Sequence, residues 1–253
     1  MKKIFLFLLA FFSIVQANTF HVTSWGVKGL VGAWHLDEGR GLFLNNSSEY
    51  PYSGALGGGV AWVTGRDKYA LNFDGSDDFV DLSSGSQFSP ANNPVTYIVS
   101  IRMPAADGTG RIAFVRVQNS EFEFRYNSDD TNGFQSITIF QADAGASTAL
   151  SGVYRTDDRT WHRIAFSMQQ SASGAAQIRL WHDGRLDGQT TQGAFNMTDN
   201  GRRLQMGGNP TNSGGGYNMF TEGDMEEPVM YARFLTPAEI MFDYVRFLGR
   251  TNN

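Results

Sequence analysis

The sequence contains no cysteine. This absence excludes disulfides, zinc–thiolate sites, iron–sulfur clusters and thiol nucleophiles. Lysine and arginine together number only 20 of 253 residues and form no basic cluster, which argues against a nucleic-acid partner. Proline is scarce, at seven residues, whereas glycine numbers 29. The hydrophobic content of 41% is sufficient for one large core and is too high for a disordered chain.

The first 17 residues have the three parts of a secretory signal peptide. Lys2 and Lys3 come first, an apolar run extends from Ile4 to Val15, and the segment ends at Ala17. The apolar run is too short to cross a bilayer core of about 30 Å as a helix, and no second run is long enough. Cleavage after Ala17 removes two lysines, so the formal charge changes from −5 to −7. We therefore expect an acidic, exported protein; a retained N-terminal segment is the alternative.

From residue 30 onward, short runs of alternating apolar and polar residues are separated by glycine, asparagine, aspartate and serine. Such runs predict strands with one buried face, and their spacing predicts a β-sandwich or barrel. The clearest runs are 95–103, 111–117, 121–126, 134–140, 161–168 and 176–182. Asp183-Gly184 after the last run predicts a two-residue hairpin turn.

One helix is predicted, and it closes the chain. Thr236 is a suitable N-cap, Pro237 suits the first helical position, and Glu239 completes a capping box. Apolar residues then recur at four-residue spacing from Ile240. The predicted organisation is a signal peptide at 1–17, an N-terminal extension at 18–29, and one β-sandwich domain at 30–253 that includes a helix at 236–248.

Five segments occur in order between Leu30 and Phe242: GLVGAWHLDEGRG, YALNFDGSDDFVDL, RTWHRIAFSM, IRLWHDGRLDG, and LQMGGN with FTEGDMEEPVMYARFLTPAEI. Together they resemble the laminin G-like domains of the concanavalin A-like lectin/glucanase superfamily. The resemblance implies two antiparallel sheets packed face to face in a jelly roll, with the closing strand beside the opening one. It implies no particular function, because this fold carries lectins, adhesive modules, hydrolases, lyases and structural domains.

Many members of this superfamily bind calcium at the rim of the sandwich through carboxylates and carbonyls, which suit a hard cation. The matching positions are Asp37, beside Glu38 after the first strand, and Glu226 on the last strand, where relatives usually have aspartate. Asp74 and Asp78, in the loop DGSDD, form a second candidate set. The alternative is that this loop only makes a turn. The resemblance thus implies a structural Ca²⁺ ion as the one candidate cofactor.

Three carboxylates, Glu222, Asp224 and Glu226, alternate on the closing strand, as in glycoside hydrolases of the same superfamily. The segment more closely resembles the non-catalytic closing strand of laminin G-like domains and lacks a preceding tryptophan-rich motif. The histidines have no zinc-enzyme spacing, and the resemblance gives His162 and His182 structural positions. We therefore expect no catalytic residues, and a hydrolase using the three carboxylates is the least favoured alternative.

Aromatic residues in loops are candidates for stacking on a sugar ring. Tyr217 and Asn218 follow a triple glycine, and Tyr50 and Tyr52 flank Pro51. The alternative is that these side chains cover the core.

The sequence therefore predicts a secreted, non-catalytic recognition module that binds a glycan or a surface protein, with calcium as an aid. Its expected location is extracellular or at the cell surface, with the periplasm left open. A different class remains open as well: a self-assembling structural subunit of a surface layer, filament or virion. The fate of residues 1–29 and of the Gly207–Gly216 loop would discriminate the two classes.

Overall fold

The computed structural model describes residues 28–83, 85–90, 93–105, 111–116, 122–126, 134–141, 145–170, 174–194, 203–208 and 220–250. The predicted signal peptide and nearly all of the extension at 18–29 lie outside these residues. The first eight strands are β1 (Leu30–Ala33), β2 (Phe43–Leu44), β3 (Gly54–Gly57), β4 (Ala61–Thr64), β5 (Tyr69–Asp74), β6 (Phe79–Ser83), β7 (Val95–Arg102) and β8 (Arg111–Arg116). The later elements are β9 (Phe122–Tyr126), β10 (Phe134–Gln141), β11 (Gly145–Arg155), β12 (His162–Gln170), β13 (Ala175–His182), β14 (Arg185–Ala194), β15 (Leu204–Met206), β16 (Glu222–Tyr231) and helix α1 (Pro237–Gly249).

The strands form two antiparallel sheets of eight strands each. The first sheet has the order β14-β13-β12-β7-β16-β5-β4, and β1 also pairs with β16. The second sheet has the order β11-β10-β9-β8-β15-β6-β3-β2. This architecture confirms the predicted antiparallel β-sandwich. The pairing of β1 with β16 confirms that the closing strand lies beside the opening strand.

An aromatic cluster fills the space between the sheets. Tyr97 of β7 and Phe166 of β12 stack with their ring centroids 4.7 Å apart. Phe122 and Phe124, from β9 in the opposite sheet, contact Phe166 at centroid distances of 5.0 and 4.8 Å. All four side chains are at most 1% exposed. Burial of this much aromatic surface stabilises the sandwich and makes it a rigid support for its loops.

Helix α1 covers the outer face of the first sheet. A second apolar cluster forms there from residues of β1, β7, β12, β13 and β16 together with the helix and the segment before it: Ala33, Ile98, Ala165, Trp181, Val229, Tyr231, Leu235 and Ile240. The amphipathic pattern of the helix therefore serves to bury one stripe against the sheet. No helix in the described part of the chain is long and apolar enough to cross a membrane.

The start of α1 has the predicted capping box. The Thr236 side chain accepts a hydrogen bond from the Glu239 backbone N–H, and the Glu239 carboxylate accepts one from the Thr236 backbone N–H. The Arg233 guanidinium also donates to this carboxylate, with an N–O distance of 2.7 Å. The helix prediction is confirmed. The last helical residue is Gly249 instead of residue 248, and Arg250 is the C-cap.

The Asp183-Gly184 turn between β13 and β14 is also as predicted. Asp183 and Gly184 have φ values of 49° and 76°, which are the left-handed values that a two-residue hairpin turn of this type needs. The turn packs against α1, since a Cβ added at Gly184 would lie 3.0 Å from the Tyr244 ring. Glycine at this position therefore satisfies both the backbone conformation and the close approach of the helix.

A buried arginine links three elements of the first sheet and its helix. Arg163 of β12 donates to the Ser100 hydroxyl of β7 at 3.0 Å and to the Glu227 carbonyl oxygen of β16 at 2.9 Å. Its guanidinium also forms an ion pair with Asp243 of α1, with Nε–Oδ2 at 2.7 Å. Glu227 lies in a bulge of β16 and has a φ of 48°. The arginine thus fixes this bulge and the helix to the same sheet.

Candidate functional site

A surface cavity of about 400 Å³ lies between the segment that follows β1 and the segment that follows β2. We refer to it as the β1–β2 cavity. Its lining residues are His35, Leu36, Asp37, Glu38, Asn45 and Ser47. Five of these six side chains are polar, so the cavity is suited to a ligand with hydroxyl groups or to a cation.

Hydrogen bonds of Asn46 and Ser47 hold the segment after β2, which forms one wall of the cavity, against β1. The Asn46 side-chain oxygen accepts from the backbone N–H groups of Ala33 and Ser48, each at 2.9 Å. Its amide nitrogen donates to the Tyr50 carbonyl oxygen at 3.1 Å. The Ser47 N–H donates to the Ala33 carbonyl oxygen at 2.8 Å. The loop is therefore fixed before any ligand arrives, which is typical of binding sites.

Glu38 is the most unusual residue of the cavity. Its Oε1 accepts a hydrogen bond from the Asn45 backbone N–H at 2.7 Å. Its Oε2 is buried and has no hydrogen-bond partner among the described residues. A buried carboxylate oxygen without a partner is costly, because it has lost its hydration without compensation. A cation or a ligand hydroxyl at the cavity would supply the missing partner.

The structure does not bring Asp37 and Glu226 together as a cation site. Asp37 is exposed and pairs with Lys68 at 3.0 Å. Glu226 is only 2% exposed, and its Oε2 accepts from the backbone N–H of Arg66 at 2.8 Å. Burial raises the pKa of Glu226. Among the described residues, neither carboxylate belongs to a group of three ligand atoms within 4.8 Å.

The second predicted set does converge. Asp74, Asp77 and Asp78 place carboxylate oxygens within 4.8 Å of one another. However, Asp78 Oδ1 accepts from Gly59 N–H at 2.5 Å and its Oδ2 accepts from Asp74 N–H at 2.8 Å. Asp74 Oδ1 in turn accepts from Ser76 N–H at 2.8 Å. These hydrogen bonds are sufficient to hold the loop as a turn without a bound ion. Calcium binding there therefore stays a prediction.

The two tyrosines of the β2–β3 loop have different environments. Tyr52 packs edge-on against the core residue Phe88, with a centroid distance of 5.7 Å, so it covers the core. Tyr50 stacks on Tyr52 at 6.1 Å and is 40% exposed. It lies on the same loop as the cavity residues Asn45 and Ser47. Only Tyr50 of this pair is therefore accessible as a sugar platform.

Two other predicted ligand residues, Tyr217 and Asn218, lie outside the described residues. The same holds for most of the Gly207–Gly216 loop and for residues 1–27.

The three carboxylates of the hydrolase hypothesis are not arranged as a sugar-cleaving pair. Asp224 is 8% exposed and is held by Arg102, at 2.8 and 2.6 Å, and by the Asn72 side chain at 2.8 Å. Glu226 is buried beneath the Arg66 backbone, and only Glu222 is exposed. Glycoside hydrolysis needs two carboxyl groups that both reach the substrate. The arrangement therefore does not favour the hydrolase alternative.

Sequence reasoning did not identify Asn45 and Ser47 as site residues. Their signal is the polar run from Asn45 to Ser48 directly after the apolar residues of β2. Asparagine and serine side chains often bind nearby backbone groups in loops, so such a run marks an ordered loop. The run does not reveal that this loop faces the segment after β1.

The fold and the loop-lined cavity together define a jelly-roll domain of the kind that presents ligand sites on a rigid sandwich. The chain belongs to the concanavalin A-like lectin/glucanases superfamily: the laminin G-like family model with this description matches residues 74–241. This match confirms the resemblance noted in the sequence. A search of curated proteins found no match to the chain.

Solved structures with the same fold include two toxin binding domains and one accessory domain of an enzyme. The binding domain of Paraclostridial Mosquitocidal Protein 1 has a TM-score of 0.66 and 11% identity, over 87% of this chain and 52% of that one. A second structure is domain 4 of AbnA, an extracellular GH43 arabinanase from Geobacillus stearothermophilus, in complex with arabinotriose. It has a TM-score of 0.65 and 17% identity, over 85% of this chain and 97% of that one. The binding domain of botulinum neurotoxin DC in complex with rat synaptotagmin II has a TM-score of 0.64 and 12% identity, over 86% of this chain and 51% of that one.

The chain therefore spans about half of the two toxin chains, at 52% and 51%, but almost all of the arabinanase domain, at 97%. At these identities the similarity shows the fold alone. It confirms a sandwich architecture that is shared with two toxin binding domains and with an arabinanase domain in complex with arabinotriose.

Proposed function

We propose that the protein is a secreted, non-catalytic recognition module that binds a glycan at the β1–β2 cavity. The observation that carries the proposal is the ordered cavity with polar lining residues, one wall of which belongs to the loop that also carries an exposed aromatic ring. Asp37, Glu38, Asn45 and Ser47 offer oxygen and nitrogen atoms for sugar hydroxyl groups. Tyr50, on the same loop, offers an aromatic face for a sugar ring.

The similar structures support recognition but leave the ligand class open. One is the arabinanase domain, whose structure is a complex with arabinotriose, and another is a neurotoxin binding domain, whose structure is a complex with rat synaptotagmin II. Glycan and protein ligands are therefore both represented on this fold. We favour a glycan because the β1–β2 cavity is small and polar, whereas a protein interface would need a broad surface of about 800 Å² on each partner.

We propose that Ca²⁺ binds in the same cavity through Glu38. The buried, unpartnered Oε2 of Glu38 is an oxygen donor of the type that Ca²⁺ prefers, and Asp37, Asn45 and Ser47 supply further oxygens nearby. When bound, the ion would neutralise Glu38 and coordinate ligand oxygens. Glu38 would hold the ion, and Asn46 would keep the loop in place around it.

A glycan array with matched tyrosine variants tests the recognition site. The wild-type mature protein, residues 18–253, is expected to bind a defined glycan class. Tyr50→Ala should weaken this binding by about fivefold, because one aromatic stacking contact is worth roughly 1 kcal/mol. Tyr154→Ala is the control, since Tyr154 has nearly the same exposure, 41% against 40% for Tyr50. Equal binding by both variants would contradict a site at Tyr50.

A thermal melt with and without calcium tests the cation. Millimolar Ca²⁺ is expected to raise the Tm of the wild type, because a ligand that binds only the folded state stabilises it. Glu38→Gln should abolish this shift, whereas Glu49→Gln, an exposed glutamate of the next loop, should retain it. A Tm that calcium leaves unchanged in the wild type would contradict calcium binding without affecting the glycan proposal.

Export and assembly are tested on protein collected from the culture medium, by N-terminal sequencing and by light scattering. We expect the N-terminus of the released protein to be Asn18, and an uncleaved Met1 start would contradict the signal peptide. Light scattering should give the mass of a single chain or a small oligomer. Large particles together with a silent glycan array would favour the assembly subunit instead.

A further inference from the structure

Two histidines and an aspartate converge at the β13–β14 turn. None of the three lines the β1–β2 cavity. His162 begins β12, His182 ends β13, and Asp183 lies in the turn. Their ligand atoms all lie within 4.8 Å of one another. Nδ1 of His162 is 3.0 Å, and Nδ1 of His182 is 3.6 Å, from Oδ2 of Asp183. We refer to these three residues as the turn cluster.

A hydrogen bond behind the ring fixes the orientation of His182. Its Nε2 lies 3.1 Å from the Arg155 carbonyl oxygen, which can only accept, so Nε2 carries the hydrogen. Nδ1 is therefore the ring nitrogen that faces the Asp183 carboxylate, 3.6 Å from its Oδ2.

His162 is held from behind in the same way. Its Nε2 lies 3.0 Å from Asp158 Oδ1 and 3.0 Å from the Thr160 hydroxyl. The Thr160 hydroxyl donates to the same Asp158 oxygen at 2.7 Å, so the His162 Nε2–H is also a donor to this carboxylate. Histidines that bind metals typically donate their second ring nitrogen to a carboxylate or a backbone carbonyl. Both histidines of the turn cluster show this pattern.

The spacing and the donor types match zinc. With zinc–nitrogen distances of about 2.0–2.1 Å, two donors of a tetrahedral site lie roughly 3.3 Å apart. The distances of 3.0 and 3.6 Å from the two Nδ1 atoms to Asp183 Oδ2 lie on either side of this value, and the shorter one is a hydrogen bond that the ion would replace. Two imidazoles and one carboxylate are zinc ligands, whereas calcium takes oxygen ligands almost exclusively.

Two further carboxylates lie near the turn cluster. Asp158 lies behind His162, and Asp187 acts electrostatically on His182. Asp187 is buried, and its Oδ2 has no hydrogen-bond partner among the described residues. Together with Asp183, these carboxylates favour the binding of a dication between the two imidazoles.

We propose that the turn cluster binds one Zn²⁺ ion through Nδ1 of His162, Nδ1 of His182 and Oδ2 of Asp183, with water as the fourth ligand. The ion joins β12 to the β13–β14 turn and, through the hydrogen bond of His182 to Arg155, to β11 of the other sheet. The ion therefore stabilises one end of the sandwich. No disulfide could stabilise it, because the chain contains no cysteine. The site shares no residue with the β1–β2 cavity, so it does not depend on glycan binding.

Calorimetric titration of the full chain with Zn²⁺ tests the proposal, on protein purified without a polyhistidine tag. We expect one ion per chain with a Kd in the micromolar range or tighter, and a higher Tm in zinc. Co²⁺ should give the visible absorption bands of a tetrahedral site. Millimolar Ca²⁺ should not displace the zinc, which separates this site from any calcium site at the cavity.

Three variants locate the ion. Asp183→Asn keeps a residue that tolerates a positive φ and an oxygen for the Arg163 N–H, but removes the anionic ligand. It should weaken zinc binding by at least about tenfold, as should His182→Gln, which leaves the turn residues unchanged. His21→Gln, which changes a histidine of the N-terminal extension, should bind zinc like the wild type.

Two results would overturn the proposal. The first is the absence of saturable zinc binding, which would make the turn cluster only a set of hydrogen bonds that hold the turn. The second is unchanged affinity in both folded variants, Asp183→Asn and His182→Gln, which would place the ion elsewhere on the surface.

Discussion

Removal of the Asp243 carboxylate is expected to destabilise the protein strongly, because it leaves a buried cation uncompensated. Arg163 is only 4% exposed, and Asp243 is the carboxylate that pairs with it, at 2.7 and 3.2 Å. The hydrogen bonds of Arg163 to Ser100 and to the Glu227 carbonyl would remain, but neither partner carries charge. Loss of one partner from a buried pair typically costs about 3 kcal/mol or more.

For a chain of this size, about 3 kcal/mol corresponds to a decrease in Tm of about 6–12 °C. Urea denaturation of Asp243→Ala, followed by circular dichroism, measures the free energy of unfolding, and calorimetry measures the Tm. Asp37→Ala is the control, since both side chains of its pair with Lys68 are more than half exposed, at 56% and 55%. This exposed pair should contribute about 1 kcal/mol or less.

A double variant separates loss of charge from loss of packing. Arg163→Met combined with Asp243→Leu replaces both charges by apolar side chains and should be more stable than Asp243→Ala alone, because no buried charge is left unpaired. Two outcomes would refute the reasoning: a loss below about 1 kcal/mol in Asp243→Ala, or a double variant that is less stable than the single one.

Three further predictions concern the core and the helix. Phe166→Ala should lower the free energy of unfolding by about 4 kcal/mol in urea, since it removes the centre of the aromatic cluster; a loss below about 1 kcal/mol would contradict that position. Thr236→Ala should cost about 1 kcal/mol in the same assay through loss of the helix cap, and an unchanged midpoint would contradict the cap. The Arg233 guanidinium lowers the pKa of Glu239 from 4.5 to about 2, so its stabilisation is complete above pH 4.5 and is lost as the pH falls toward 2. Glu239→Gln should flatten this part of the stability profile, and identical acid profiles for the two proteins would refute the assignment.

The strands, the last turn and the helix could be predicted from the sequence because their signals are local. Alternation along β12 and β13 specifies a buried face, and the capping box at Thr236 involves residues three positions apart. The Asp183-Gly184 turn could be predicted because aspartate and glycine both tolerate a positive φ. The family resemblance then supplied the pairing of the first and last strands, which local signals alone do not specify.

The candidate sites could not be predicted to the same degree, because they depend on contacts between distant residues. Asp37 and Glu226 seemed suitable as partners, but the β16 bulge and the Arg66 backbone give Glu226 a separate, buried environment. The partnerless oxygen of Glu38 becomes apparent only when the β1 and β2 segments face each other. His162 and His182 meet because the β12–β13 register pairs Ile164 with His182, and the segment between those strands has no motif that fixes this register.

Hydrogen exchange tests whether the β1–β2 cavity is the recognition site. The measurement compares the protein alone with the protein saturated with the glycan that binds best on the array. We predict slower exchange in residues 35–52, which include both walls of the cavity and Tyr50, and little change in the helix at 237–249. Protection that leaves residues 35–52 unaffected and falls elsewhere on the sandwich would contradict this prediction.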